Sequence, residues 1–107
     1  MNFNEYQNMA KSTAIYDKKH QILYPALGLA GEAGEVANKV KKLIRDGYEK
    51  NKDYRTEISA ELGDVLWYIA VLASDIGIEL SDIATNNIIK LKDRQARGVI
   101  GGNGDTR

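Results

Sequence analysis

The chain has 107 residues, 43% of them hydrophobic, which suits one domain with a small core that a partner chain could enlarge. Fifteen basic side chains balance fifteen acidic ones, so the broad positive footprint of a nucleic-acid binder or a membrane-surface protein is missing and neither partner is expected. With no cysteine, disulfides, thiolate zinc sites and cysteine nucleophiles are excluded, and oxygen is the natural ligand atom for any metal.

The N-terminal stretch Met1–Ala10 is polar and lacks the apolar run of a secretion signal. No segment nears the roughly 20 apolar residues of a membrane span, so a cytoplasmic protein is expected. A first helix is predicted from about Asn4 to Ile15, with Tyr6, Met9, Ala10 and Thr13 on one side and Asn2 or Asn4 as its cap. The polar stretch Asp17–Gln21, which holds the lone histidine, His20, ends it. The second helix should start near Pro25, where proline suits a first turn, and stop at Gly47, with Leu29, Ala33, Val36, Val40 and Leu43 as its apolar stripe. After a charged connector, a third helix runs from Tyr54 to about Ile76 and stops at Gly77. Its stripe is Ile58, Leu62, Val65, Ile69, Leu72 and Ile76, and Trp67, Ala70 and Val71 lie on the other side. A helix apolar nearly all round needs cover on more than one face, so a homo-oligomer, dimer or tetramer, is expected unless the first or fourth helix supplies that cover. Ser81 is the predicted cap of a fourth helix reaching Arg97. Residues 1–97 thus form an all-α, four-helix domain, and 98–107 a glycine-rich tail.

Sliding the sequence so that Glu32 falls on Glu61 also lays Leu29, Gly34, Glu35, Val36, Val40 and Leu43 over Ile58, Gly63, Asp64, Val65, Ile69 and Leu72. The two central helices are variants of one pattern. At about 100° per residue, Glu32 and Glu61 each sit about 60° from their own stripe, and Glu35 and Asp64 about 120° to the same side. An antiparallel hairpin can bring the two acidic pairs together. Like charges at i and i+3 repel, each pair at a cost of about 0.2–0.5 kcal/mol, and a hard divalent cation reverses that sign. Gly28, Gly31, Gly34 and Gly63 fall inside these helices, where each costs about 1 kcal/mol relative to alanine; close approach by a neighbouring helix or a ligand is the expected reason. The competing reading of the acids is a solvated edge in which Glu35 pairs with Lys39 at i, i+4.

The run GLAGEAGEV from Gly28 to Val36, the run ELGDVLWY from Glu61 to Tyr68, Asn87 with Lys90 and Arg94, and the terminal Gly104-Asp105-Thr106-Arg107 together resemble the MazG-like nucleotide pyrophosphohydrolases. The resemblance implies a four-helix MazG-like bundle, assembled as an oligomer, that hydrolyses nucleoside triphosphates to monophosphate and pyrophosphate. It implies Mg²⁺, with Mn²⁺ as a substitute, held by Glu32, Glu35, Glu61 and Asp64. Glu35 is the candidate base for the attacking water. Where many members carry a second glutamate before the first of the motif, this chain has Gly31, which leaves the number of metals open. On the fourth helix Asn87, Lys90, Arg94 and Arg97 share one face, with Ala84, Ile88 and Leu91 on another, so Asn87, Lys90 and Arg94 are candidates for the triphosphate. Lys39 is a further phosphate candidate, ranked above Lys42. Tyr68, one turn past Asp64, is placed to meet a base or ribose, whereas Trp67 is expected to face away, into the core or an interface. Asp105 and Arg107 are the charges of a tail expected to fold over the site. The alternative from another functional class is a non-catalytic helical dimerisation module. A di-iron carboxylate bundle is set aside because its Glu-x-x-His pairs are absent.

Overall fold

A computed structural model describes residues 1–107 and is all-helical: α1 (Phe3–Ser12), α2 (Leu23–Asp46), α3 (Tyr54–Asp75) and α4 (Leu80–Ala96). Two short 3-10 turns, Lys18–His20 and Tyr48–Lys50, fall in the connections. None of the helices is long and apolar enough to cross a membrane.

Asn2 caps α1, its side-chain oxygen accepting from the Glu5 amide at 2.8 Å. The helix ends three residues before its predicted limit of Ile15, and the cause is local. Ser12 and Thr13 donate their hydroxyls back to the carbonyls of Met9 and Ala10 at 2.6 and 2.7 Å, which favours leaving the helix. The next segment reaches α2 through a tight γ-turn at Ile22 (φ 70°, ψ −59°), closed by a 2.8 Å bond from the Leu23 amide to the Gln21 carbonyl. Positive φ is unfavourable for a β-branched residue. The Asp75 carboxylate pins the turn, accepting from the Ile22 amide at 2.9 Å and from the Tyr16 hydroxyl at 2.8 Å. Helix α2 therefore begins two residues before Pro25.

Helices α2 and α3 form the long antiparallel hairpin that the short connector favours, and α1 lies across α3. Helix α3 ends in a Schellman motif: Gly77 takes φ 74°, and the Ile78 amide reaches back to Ala73 at 2.9 Å. Helix α4 is not capped by Ser81, as its sequence suggested. Its first amides are capped by α1: Leu80 donates to the Gln7 side-chain oxygen at 2.8 Å and Ser81 donates to that of Asn4 at 3.2 Å. Gln7 is buried, and its amide nitrogen donates to the Ile78 carbonyl at 2.9 Å, so one side chain secures the whole α3–α4 corner.

The central buried cluster is Ala10, Ala70, Val71 and Leu80, with Tyr6, Ala14, Tyr16, Trp67 and Ile69 packed around it, and Leu43 and Ala73 are buried as well. The side of α3 that bears Ala70 and Val71 is thus covered within the chain by α1 and the start of α4, not by a second copy. Other apolar surface is left open. Leu27, Ile44 and Leu62 on the hairpin, Phe3 on α1, and Ile88 and Leu91 on α4 are exposed, so the apolar strip expected to pack α4 is uncovered.

Candidate metal and nucleotide site

The hairpin brings Glu32 of α2 together with Glu61 and Asp64 of α3, and one carboxylate oxygen from each lies within 4.8 Å of the others. Antiparallel packing of two helices with the same acidic address produces this convergence, as the repeat implied. Glu35 stays outside the triplet, exposed one turn along α2. Partial desolvation first, and then the charges of Asp64, Glu61 and Glu35, push the Glu32 carboxyl above its ordinary range. Crowded carboxylates with no histidine or cysteine beside them fit a hard cation such as Mg²⁺, which takes oxygen ligands and tolerates few protein carboxylates.

Lys39 does not pair with Glu35 along its own helix. It crosses the hairpin, its ammonium 3.7 Å from the Glu61 carboxylate.

On the other side of the triplet is an aromatic wall. An open cavity of about 390 Å³ is lined by Thr13, Glu32, Asp64, Trp67 and Tyr68. The rings of Trp67 and Tyr68 meet edge to face at 5.0 Å, Tyr24 lies 6.5 Å from Tyr68, and Tyr16 stacks on Tyr24 at 4.7 Å. Burial first, then Tyr24 and Glu32, raises the Tyr68 hydroxyl's pKa above its ordinary value. A Cβ built on Gly28 would clash with the edge of the Tyr68 ring, which explains why a glycine is needed there. The same reason does not extend to Gly31, Gly34 and Gly63, which face open space within the chain.

Trp67 packs against the core, as expected, but does not face away from the site. It lines the cavity beside Tyr68, and its indole N–H donates to the Thr13 hydroxyl at 2.8 Å. The signal was spacing: Trp67 and Tyr68 follow Asp64 at i+3 and i+4, both neighbours on a helix surface. Thr13 had no signal of this kind, because it reaches the cavity from α1.

The candidates on α4 and in the tail are not brought to the triplet within one chain. Asn87 and Lys90 are exposed on α4 and line no part of the cavity. Arg94 is only 6% exposed and donates to the Asp105 carbonyl at 2.6 Å. Arg107 donates to the carbonyls of Val99, Ile100, Gly101 and Gly104, so the tail folds back on the end of α4 rather than over the acids. These arginines order the tail.

Residues 19–99 match the model of the MazG nucleotide pyrophosphohydrolase domain. The chain belongs to that family. It is also similar to the Gene 37 protein of Mycobacterium phage L5, at 44% identity over 117 residues covering 100% of both chains. No solved structure matches it. The matched span contains every acid of the triplet, both aromatics of the cavity wall and the Lys39–Glu61 pair.

Proposed function

We propose that this chain is a cytoplasmic, Mg²⁺-dependent nucleoside triphosphate pyrophosphohydrolase that converts a ribo- or deoxyribonucleoside triphosphate and water to the monophosphate and pyrophosphate. The observation that carries the proposal is the carboxylate triplet beside an aromatic-walled cavity, in a chain of this family. Glu32, Glu61 and Asp64, with Glu35 alongside, would hold the ion. Bound there, Mg²⁺ would neutralise charge on the phosphate oxygens and lower the pKa of a water molecule.

The chain's own groups do the rest. The water oxygen attacks the α-phosphorus, the bond from that phosphorus to the oxygen bridging the β-phosphate breaks, and pyrophosphate leaves. Glu35, exposed and outside the triplet, takes the proton lost by the water. Tyr68 and Trp67 offer ring faces to the base or ribose, and Lys39 faces the phosphates.

The chain works as a homo-oligomer. It exposes 7788 Å², where a compact monomer of 11.9 kDa would expose about 5,900 Å². The excess, about 1,800 Å², is over twice one partner's share of a standard interface. Asn87 and Lys90 reach a triphosphate only across such an interface, where Arg94, Asp105 and Arg107 shape the tail that accompanies them.

The test is a panel of the ribo- and deoxyribonucleoside triphosphates with Mg²⁺ or Mn²⁺, scored for pyrophosphate against orthophosphate. Pyrophosphate and a monophosphate are the expected products; orthophosphate as the primary product would overturn the bond assignment.

A further inference from the structure

A second concavity opens beyond Lys39, towards the closed end of the hairpin. It is a cleft of about 240 Å³ between the last turns of α2 and the first of α3, floored by Leu43, Tyr54 and Ile58. Lys39, Lys42 and Lys50 line it. Two acids line it as well, but both are already engaged. Asp46 is held by the Arg45 guanidinium through bonds of 2.8 and 2.9 Å, and Glu57 accepts from the Asn51 side-chain amide at 2.8 Å. Lys42 and Lys50 form no salt bridge, and although the Lys42 charge is felt by Asp46, three lysines line the cleft against two acids, one of which is already paired with Arg45.

Lys39 belongs to both places. It lines the cleft, and its ammonium contacts Glu61, a member of the carboxylate triplet. The two concavities, joined through the Lys39–Glu61 contact, therefore stand in a fixed order along the hairpin. The aromatic pair Trp67 and Tyr68 stands at one end, the acids in the middle, and the lysine-lined cleft at the other end. A nucleoside triphosphate has the same order of chemistry: an aromatic base, the α-phosphate, then the highly anionic β- and γ-phosphates.

We infer that this cleft is the subsite for the β,γ-diphosphate, and hence for the departing pyrophosphate. Lys42 and Lys50 are the residues by which the chain distinguishes a triphosphate from shorter nucleotides. This inference rests on the pyrophosphohydrolase reading of the acidic site. Lysine supplies a mobile point charge with three donors, which suits a leaving group that must be held and then released. Its place at the closed end of the hairpin, away from Trp67 and Tyr68, gives pyrophosphate an exit that does not pass the base.

The test pairs a binding measurement with kinetics. Inorganic pyrophosphate is titrated by calorimetry into the wild-type chain, the double variant Lys42→Gln/Lys50→Gln, and Lys41→Gln as a control whose lysine is exposed and outside the cleft. All three positions are exposed, and folding is checked by circular dichroism. The double variant should bind pyrophosphate about tenfold or more weakly. Its KM for nucleoside triphosphates should rise by a similar factor with kcat little changed, while the control matches wild type. Equal pyrophosphate affinity and equal KM in the double variant and wild type would overturn the subsite and leave the enzymatic reading standing. If no triphosphate is hydrolysed, the enzymatic reading fails. The titration then still decides the cleft, since a wild-type chain that binds no pyrophosphate overturns it.

Discussion

Glu32 is the residue at which the crowding of the site is most directly measurable. Its proton is held to higher pH in the folded chain than the ordinary 4.5, through desolvation and then the surrounding carboxylates. Between those two values the folded state carries more protons than the unfolded one, so this group's contribution to stability falls as pH rises through the folded value. In chelator, urea unfolding of wild type and Glu32→Gln should therefore diverge as pH rises above 4.5, with the variant gaining relative to wild type. Mg²⁺ should selectively stabilise the wild type. Parallel profiles would show that the acids do not strain one another. The four acids were legible because a repeat places them at one address on two helices, and three of them converge. Trp67 was misplaced because a helical-wheel angle gives the direction of Cβ only, whereas a side chain as long as tryptophan reaches round the helix to Thr13. That Lys42 and Lys50 form no salt bridge could not be read in advance, since it depends on which acids Arg45 and Asn51 engage.

The helices themselves were legible, since apolar periodicity and the glycines at 47 and 77 set their number and their C-terminal ends. Their N-terminal ends were less so. Local propensity offers Ser81 as the cap of α4, yet the capping oxygens come from Asn4 and Gln7, more than seventy residues away in sequence. Gln7→Ala would leave the buried Leu80 amide and Ile78 carbonyl without their partner. Thermal or urea unfolding should register a loss of about 1–3 kcal/mol. The exposed neighbour Asn8→Ala should have little effect. A loss no larger for Gln7 than for Asn8 would mean that α4 holds its corner without α1. The γ-turn at Ile22 was likewise beyond local reading, because a β-branched residue accepts φ 70° only where something distant, here Asp75, fixes the turn.

At the scale of the molecule, the radius of gyration is 16.8 Å, where a compact chain of 107 residues has about 13 Å. The length and exposed apolar flanks of the hairpin follow from a sequence whose central helices are apolar on more faces than α1 and α4 can cover. Oligomerisation was anticipated from the Trp67, Ala70 and Val71 side of α3, but Ala70 and Val71 are buried within the chain; the exposed apolar surface is elsewhere, around Leu27, Ile44, Leu62 and Ile88. Sedimentation velocity should show a dimer or larger species, and Leu27→Glu with Ile44→Glu should dissociate it. A fully active monomer would refute the need for a second copy. The central claim is hydrolysis at the α-phosphate by the carboxylate site. It is tested most directly by pyrophosphate release from nucleoside triphosphates by wild type, Glu35→Gln and Asp64→Asn, each checked for fold. The account predicts Mg²⁺-dependent release by wild type, abolished by chelator and lost in both variants; full activity in both variants would contradict it.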